Sequence, residues 1–475
     1  MRKRILIVGG TGRIGSAIVR GLGGRYDLLL TSRSATPADA ARGLYRIDAG
    51  GSPEALARLA RRCDAIVALG AMGSEGEFDD IAYMNIRGAY HVYEAARRAG
   101  VPRVVFASTN HVYDGRPADG GLASAETPTA PGGLYGASKV FGEALGRVYS
   151  HRYGMSVICL RIGNYPANER PTAHSVARWI SPRDMAQIVE RSIEAEHLPF
   201  AAVNAVSEND ERWMDLEGGR RLLGYVPEDN GSEILRTLPP AAPQYRPPRT
   251  APMERVAPAA APPGGPREVL VCGEDGPLAR ALCERLGGAY SLRPFLGLGD
   301  GLRGEALARS AAGADAMVYV VPRDVGDEFE ALEYAVIRGA YRACEAARRA
   351  AVRRLVVLTD WSMFGGHRSS GGGARGEVVL PYPTTLRGAA HVWAEAVAHA
   401  YHMQAGLSVA TLCCGEVTAG DEPPTGRADV WLSHAVLAER VQEAIDVPGS
   451  GYAAGSAISG GASRWLRPRA ARHAG

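Results

Sequence analysis

The segment ILIVGGTGRIG, residues 5–15, decides the fold of the N-terminal half of this chain. Its first residues are apolar and β-forming, and they run directly into a turn that contains Gly9, Gly12 and Gly15. The residues from Gly15 to Leu22 then follow a helical pattern of apolar positions. Glycines at such a strand–turn–helix junction let the backbone turn tightly and approach a pyrophosphate, which binds at the positive N-terminus of the helix. The segment therefore predicts an α/β domain that binds a dinucleotide.

Strands and helices are predicted to alternate along the residues that follow. The predicted strands are Ile5–Val8, Asp27–Thr31, Ala65–Leu69, Val104–Ala107 and Val157–Arg161. The predicted helices are Gly15–Leu22, Pro53–Arg62, Ile81–Ala99 and Tyr135–His151. This alternation with short connections is typical of a doubly wound parallel sheet.

The C-terminal half repeats the pattern. Residues 85–105 and 336–356 are identical at 14 of 21 aligned positions, and the glycine turn returns as VCGEDGPLA at residues 271–279. Residues 237–266 between the copies are rich in proline, which disfavours both helix and sheet, so a semi-rigid linker is expected there. We therefore predict two tandem Rossmann-type doubly wound domains, residues 1–236 and 267–475.

Composition narrows the function classes. A chain of 475 residues with a formal charge of +3 is long enough for two domains and shows no basic excess that would indicate nucleic-acid binding. No apolar stretch is long enough for a membrane helix, and the N-terminal run reads as a strand. The seven cysteines lie mostly in apolar contexts without metal-ligand spacing. We expect a cytoplasmic protein with buried thiols and no metal site.

A reactive pair of side chains is predicted on one helix. Tyr135 and Lys139 lie one turn apart on the same face, where the lysine cation would stabilise the phenolate of the tyrosine. Ser108 follows a predicted strand and would lie at the carboxyl end of the sheet, where ligands bind in such folds. These residues suit hydride transfer, with Tyr135 as base, Lys139 tuning its pKa and Ser108 hydrogen-bonded to the carbonyl oxygen.

The end of the second strand bears on the choice of cofactor. An acidic residue there usually accepts the ribose hydroxyls of NAD, but this chain has Ser32 and Arg33. Arg33 would contact a 2′-phosphate and so permit NADP, or it would only cap a surface turn. The sequence leaves both alternatives open.

Several motifs resemble the extended short-chain dehydrogenases/reductases of the NAD-dependent epimerase/dehydratase group, and uronate dehydrogenases most of all. They are GGTGRIG, MNIRGAYHVYEAARRAG, FASTNHV, YGASKVFGE, LRIGNYP and RWISPRD, and the resemblance covers residues 1–236. It implies catalytic roles for Ser108, Tyr135 and Lys139, and His111 is a further catalytic candidate. It implies cofactor contacts, NAD in the family, at Gly9, Gly12, Arg13, Ile14, Gly15, Ser32, Arg33, Asp48, Leu69, Gly70, Asn85, Tyr135, Lys139 and Ile162. It implies substrate contacts at Asn110, His111, His174 and Arg178.

Two departures from the family pattern keep alternatives open. Uronate dehydrogenases carry an arginine that binds the sugar carboxylate, and this chain has His174 at that position. An imidazole cannot make the two parallel hydrogen bonds that a guanidinium group makes to a carboxylate. The pair after Ser-Thr is Asn110-His111, so His111 would serve either as acid or base in an elimination or as a structural histidine. The expected function is NAD(P)-dependent oxidation of a sugar-like hydroxyl; a dehydratase or epimerase with a recycled cofactor is the alternative, and a non-catalytic sensor is a third.

The second copy has lost the chemical residues. Arg387 and His391 stand where Tyr135 and Lys139 stand in the first copy, and Ala279 replaces the last glycine of the turn. We expect this half to be a degenerate, non-catalytic domain, or else a site repurposed around Asp360, Arg387 and His391. Its best-preserved helices are those that form the homodimer interface in the resembled family, which implies an intramolecular pseudo-dimer of the two halves.

Overall fold

Two compact units make up the chain in the computed structural model. Unit 1 comprises residues 1–129 and 134–250, and unit 2 comprises residues 130–133 and 251–475. The structure describes residues 2–116, 121–238, 253, 267–297, 304–369, 380–423, 431–447, 451–457 and 465–466. The break at residue 250 falls within the predicted linker 237–266, most of which lies outside the described residues.

Unit 1 is built on a seven-stranded parallel sheet. Its strands are β1 (Arg4–Val8), β2 (Asp27–Ser32), β3 (Leu44–Arg46), β4 (Ala65–Ala68), β5 (Arg103–Thr109), β6 (Ser156–Ile162) and β7 (Phe200–Ala205). The strand order is β3-β2-β1-β4-β5-β6-β7. Successive strands are added from β1 toward one edge of the sheet as far as β3, and from β4 toward the other edge as far as β7. Doubly wound sheets bind ligands in the crevice at this switch point, between β1 and β4.

Helices cover both faces of this sheet. They are α1 (Arg13–Leu22), α2 (Pro53–Ala60), α3 (Phe78–Ile81), α4 (Gly88–Ala99), α5 (Leu134–Tyr153), α6 (Pro182–Glu194), α7 (Glu217–Leu223) and α8 (Gly231–Thr237). Residues Ala82–Arg87 form a π-helical turn that joins α3 to α4. The central strands β1 and β4 are buried along nearly their whole length, as expected for a sheet covered on both sides.

Unit 2 repeats six strands of unit 1 in the same order; among its described strands none corresponds to β3, and one strand is added at the opposite edge. Its strands are β8 (Glu268–Gly273), β9 (Ser291–Leu296), β10 (Ala316–Val320), β11 (Arg354–Asp360), β12 (Val409–Cys414), β13 (Tyr452–Ala457) and β14 (Trp465–Leu466). The order is β9-β8-β10-β11-β12-β13-β14, and the short β14 pairs antiparallel with β13. The prediction of two Rossmann-type doubly wound sheets is confirmed, and the antiparallel edge strand is an addition to it.

The helices of unit 2 follow its strands as those of unit 1 do. They are α9 (Pro277–Leu286), α10 (Gly304–Ala311), α11 (Phe329–Leu332), α12 (Arg338–Arg349), α13 (Gly365–Ser369), α14 (Leu386–Ala405) and α15 (His434–Asp446). A π-helical turn, Glu333–Ile337, precedes α12 as one precedes α4. Among the described residues, no helix is both long and apolar enough to cross a bilayer.

Candidate active site

The glycine turn after β1 has the backbone geometry that its sequence predicts. Gly9 has a φ of +81°, and a Cβ there would lie 2.9 Å from the Cα of Gly70 on the turn after β4. A Cβ on Gly15 would lie 2.6 Å from the carbonyl oxygen of Gly10. Side chains are therefore excluded at both positions, and the turns after β1 and β4 approach closely at the switch point.

The N-terminus of α1 is open to a ligand. Gly12 is its N-cap residue, no side chain caps the helix, and its first turn contains no acidic residue. Arg13 is exposed and Ile14 is half-buried, so the free N–H groups of the first turn face an accessible region. These features fit the pyrophosphate of a dinucleotide, which such a helix end attracts by its dipole.

Hydroxyl groups gather at the end of β2. The Thr11 hydroxyl donates to Ser32 Oγ at 2.9 Å, and Ser32 Oγ lies 3.0 Å from Ser34 Oγ. The neighbouring Arg33 is exposed. Hydroxyls beside an exposed guanidinium suit a phosphate group as well as a ribose hydroxyl, so the geometry leaves both cofactor alternatives open.

Asp48 is fixed beside this edge by two contacts. Its Oδ1 accepts the N–H of Gly50 at 3.1 Å and its Oδ2 accepts the hydroxyl of Tyr83 at 3.1 Å. Burial and the hydrogen bond to this carboxylate raise the pKa of Tyr83. Asp48 itself remains exposed, as a residue that contacts an adenine would have to be.

Asn85 holds the loop after β4. Its Oδ1 accepts the N–H of Met72 at 2.8 Å, and its Nδ2 donates to the Met72 carbonyl at 3.3 Å and to Ser138 Oγ at 3.0 Å. Leu69 and Gly70, at the start of this loop, are half-buried. Asn85 is 3% exposed, so it positions the loop that carries Leu69 and Gly70.

Tyr135 and Lys139 lie together on α5. The lysine Nζ lies 5.8 Å from the centroid of the tyrosine ring and donates to the carbonyl oxygen of Ala107 at 2.8 Å. Burial lowers the pKa of Lys139 to about 8. Burial also raises the pKa of Tyr135, partly offset by a hydrogen bond with Thr109. The N-terminus of α5 is fixed by Glu75, whose carboxylate accepts the N–H of Tyr135 at 3.1 Å.

The hydroxyl beside Tyr135 is that of Thr109, which corrects the prediction of Ser108. Thr109 is the last residue of β5 and caps the 3-10 turn Asn110–Tyr113 that follows. The Ser108 hydroxyl instead donates to Glu143 at 2.5 Å. Successive strand residues point to opposite faces of a sheet, so only one of the two reaches the phenol. The cue that could have identified Thr109 is its place directly before the turn, where a threonine caps the first N–H groups.

Ser108 belongs to a buried charged network below the site. Arg161 Nε donates to Glu143 Oε1 at 2.9 Å and its Nη2 donates to Oε2 at 2.7 Å. Its Nη1 also donates to the hydroxyl of Tyr113 at 2.5 Å. Burial alone would raise the pKa of Glu143, but Arg161 and Ser108 hold it below its ordinary value. The network joins β5, β6 and α5, and no local sequence pattern predicts it.

His111 lies next to the Tyr135 ring, and Asn110 precedes it in the chain. The His111 ring is edge-on to Tyr135 with centroids 5.8 Å apart, and its Nδ1 lies 2.9 Å from Asp114 Oδ2. The His111 side chain is 48% exposed, whereas Asn110 is 4% exposed. His111 is thus accessible to a substrate held at Tyr135.

His174 and Arg178 lie on a segment fastened to the end of β6. Asn164 donates its N–H to the Arg178 carbonyl at 2.6 Å, and Ile180 donates to the Asn164 carbonyl at 3.1 Å. The Arg178 guanidinium donates to the His174 carbonyl at 3.3 Å. The segment therefore lies at the same sheet edge as Ile162, the last residue of β6.

Known proteins resemble this chain in its N-terminal half. The model of the NAD-dependent epimerase/dehydratase family matches residues 5–195. L-arabinose 1-dehydrogenase (NAD(P)(+)) of Haloferax volcanii is 35% identical over 257 residues, which are 49% of this chain and 99% of that protein. The chain belongs to the NAD-dependent epimerase/dehydratase family. The resemblance noted in the motifs is confirmed.

Two further relatives are uronate dehydrogenases. The enzyme of Pseudomonas syringae pv. tomato is 33% identical over 50% of this chain and 86% of its own length. The solved structure of the enzyme from Agrobacterium tumefaciens is 33% identical, with a TM-score of 0.46, and the match covers 51% of this chain and 92% of that one. Each relative thus accounts for about half of the chain.

Unit 2, which lies beyond the family match, fills the corresponding sheet edge with its own side chains. Glu274 of the glycine turn accepts the N–H groups of Arg323 and Asp324 at 3.0 and 2.8 Å. Arg323 donates to the carbonyl oxygens of Thr359, Cys414 and Gly415 at 2.9, 3.2 and 3.0 Å. Where the turn of unit 1 has Gly10, the turn of unit 2 therefore has the acid Glu274, and the Arg323 guanidinium spans the strand ends.

Proposed function

We propose that unit 1 is an NAD(P)-dependent dehydrogenase that oxidises a hydroxyl group of a sugar or a sugar-like substrate. The observation that carries this proposal is the placement of Thr109, Tyr135 and Lys139 together at the carboxyl edge of the sheet, beside the open glycine turn. The names of the relatives support it, since they are sugar dehydrogenases. The family also contains epimerases and dehydratases, which leaves a second reading.

The side chains have distinct parts in such an oxidation. The Tyr135 oxygen takes the proton of the substrate hydroxyl, and Thr109 donates a hydrogen bond to the same substrate oxygen as it becomes a carbonyl. A bound oxidised nicotinamide supplies the hydride acceptor and a positive charge. Because burial raises the pKa of Tyr135, the Lys139 cation is needed to stabilise the phenolate when the proton leaves.

A substrate screen tests the dehydrogenase. Purified full-length chain is mixed with NAD+ or NADP+ and with L-arabinose, glucuronate or glucose 6-phosphate, and absorbance is followed at 340 nm. Steady formation of reduced cofactor, lost in Tyr135→Phe, supports the proposal. If Tyr135→Phe turns over as fast as the wild type, the assigned base is wrong.

A dehydratase or epimerase is the second candidate, and the position of His111 favours it. The exposed imidazole, paired with Asp114 and edge-on to Tyr135, is placed to move a proton at a substrate carbon. Such an enzyme returns the hydride to the product and keeps its cofactor. Product formed without reduced cofactor in solution, and abolished in His111→Asn, would select this reading over the first.

We also propose that the two units form an intramolecular pseudo-dimer. Residues 85–105 and 336–356 share 14 of 21 positions, and α14 keeps the small and apolar residues of α5 while losing its reactive ones. Retention of a packing surface without the chemistry is what a partner domain requires. Fragment 1–236 should therefore aggregate or fold poorly alone; a monomeric and fully active fragment in size-exclusion chromatography would contradict the idea.

We propose a cytoplasmic location because the cysteines are free thiols. All seven are free thiols, six of them buried and Cys283 half-buried. Free thiols persist in reducing compartments.

A further inference from the structure

A second polar cluster lies at the carboxyl edge of the unit 2 sheet, where unit 1 has its candidate active site. We call it the unit 2 cluster, and it consists of Arg323, Asp360, Arg387 and His391. Asp360 ends β11 and the histidine lies on α14, at the positions that Thr109 and Lys139 hold in unit 1. Ends of parallel strands are where α/β sheets bind small molecules.

His391 is the least satisfied group in this cluster. It is 0% exposed, and among the described residues neither of its ring nitrogens makes a hydrogen bond of good geometry, although the Pro322 carbonyl lies near the ring. Burial lowers its pKa to about 4, so the ring is neutral at pH 7 and has one N–H to donate. A buried ring without a partner costs free energy unless a bound group satisfies it.

Both guanidinium groups also keep an unused donor. Within the described part of the chain, the Nε atoms of Arg323 and Arg387 are buried and have no hydrogen-bond acceptor. Asp360 does not serve as one, because its Oδ2 lies 3.9 Å from the Arg323 Nε. Three donors of the cluster, two of them on cations, are thus left without acceptors.

Unused donors and access point to an anion. The two guanidinium groups donate to backbone carbonyl oxygens, while the carboxylates of the neighbouring Glu274 and Asp327 accept backbone N–H groups. The side chains of Arg323 and Asp360 are 14% and 16% exposed, and Arg387 is half-buried, so the cluster reaches the surface. Guanidinium groups recognise the oxygens of carboxylate and phosphate groups through paired hydrogen bonds.

We propose that the unit 2 cluster binds a small oxyanion, a carboxylate or a phosphate. Both arginines are partly exposed, and the Arg387 Nη1 donates to the Arg323 carbonyl at 2.9 Å. The His391 N–H lies at the base of the site. Unit 2 is then a ligand-binding domain rather than an inert copy of unit 1.

Isothermal titration of the full-length chain tests this site, with inorganic phosphate and gluconate as the two probes. NAD+ is kept in excess, so that the phosphate-binding turn of unit 1 is occupied. We expect saturable binding of one equivalent of phosphate, gluconate or both, and the probe that binds identifies the class of oxyanion. Arg387→Ala should weaken that binding about tenfold or more, as for loss of a charged hydrogen bond.

The matched control is Arg280→Ala, which removes the same charge from unit 2 at a 71% exposed side chain that pairs with Asp275. It should bind the probe as the wild type does. His391→Gln should weaken binding as well, and if it fails to fold, Arg387→Ala alone decides. The proposal is overturned if neither probe saturates, if Arg387→Ala binds as the wild type, or if Arg280→Ala weakens binding equally.

Discussion

At the scale of the residue, one position along β5 decides which hydroxyl takes part in the chemistry. Ser108 and Thr109 are adjacent and chemically alike, but the pleat sends Ser108 to Glu143 and Thr109 to Tyr135. The motif alone favours Ser108, the first of the pair. The difference arises from strand register, which no single residue encodes.

Substitution separates the two hydroxyls. Thr109→Val should lower kcat about 100-fold, because it removes a donor to the developing carbonyl oxygen, and Thr109→Ser should restore most of the rate. Ser108→Ala should keep kcat near the wild-type value but lower the free energy of unfolding by about 1 kcal/mol, since it removes a buried hydrogen bond. Steady-state kinetics and thermal unfolding measure both. A larger loss of kcat in Ser108→Ala than in Thr109→Val would restore the original assignment.

Lys139 should make stability depend on pH. Its pKa in the folded protein is lowered by burial to about 8, below the ordinary value of a lysine, so the unfolded chain binds more protons between these two values. The wild type should therefore gain stability relative to Lys139→Met as the pH rises, by about 2 kcal/mol between pH 7 and 9.5. Denaturant unfolding at the two pH values measures this; parallel behaviour of the two proteins would show that the lysine is not desolvated.

Arg33 should set the preference for the cofactor. If the hydroxyls of Ser32 and Ser34 and this guanidinium bind a 2′-phosphate, Arg33→Ala should raise the KM for NADP+ by about 10- to 100-fold and leave the KM for NAD+ nearly unchanged. Arg42→Ala is the control, because that arginine pairs only weakly at the surface with Asp39. Equal effects on the KM values of both cofactors would mean that Arg33 does not recognise the 2′-phosphate specifically.

At the scale of the element, the junction of β1 and α1 is the most constrained part of unit 1. In Gly15→Ala the new methyl group would meet the Gly10 carbonyl at 2.6 Å, and backbone cannot move aside cheaply. We expect weaker dinucleotide binding in a fluorescence titration and a loss of about 1–3 kcal/mol in stability. Gly24→Ala, whose methyl group would meet no atom within 4 Å, should match the wild type. Unchanged binding in Gly15→Ala would argue against a pyrophosphate at this turn.

The corresponding junction of β8 and α9 in unit 2 has a methyl group at the position of Gly15, since Ala279 stands there and is 0% exposed. The residue of unit 2 that corresponds to Gly10 is Glu274, and its side chain accepts N–H groups of the loop after β10. A helix can therefore keep its place in the fold after its junction has lost the space for a ligand. Fold and ligand binding place separate demands on these few residues.

At the scale of the whole molecule, two sheets that share six strands in the same order carry different sites. Both turns lead into a helix without a side-chain cap, but unit 1 has Gly10 in its turn, whereas unit 2 has Glu274 there and Arg323 at the matching edge. We expect one dinucleotide per chain of 475 residues in equilibrium dialysis. Tyr135→Phe should leave this stoichiometry unchanged, since it alters the proton acceptor and not the phosphate site. Two bound dinucleotides per chain would show that the unit 2 edge opens for a cofactor.

The alternation of apolar runs and helices predicted the central elements of unit 1 closely. The predicted strand Ile5–Val8 is observed as Arg4–Val8, and Val104–Ala107 as Arg103–Thr109. The edge strands β3 and β7 were missed, because a three-residue strand and the alanine-rich run FAAVNA carry little β-forming pattern. The run of β-forming apolar residues is clear in central strands, whose two faces are both buried, and weak in strands at the edges of the sheet.

By itself, the sequence determined the family, the two doubly wound sheets, the glycine turn and the Tyr135–Lys139 pair, because periodicity and spacing along one helix or turn are local properties. Only the tertiary structure decided that Thr109 rather than Ser108 faces the phenol, that Arg161 and Glu143 pair beneath them, and that Arg323 spans the matching edge of unit 2. These contacts join residues from different strands. Their partners are set by register and burial, which arise only when the sheet has assembled.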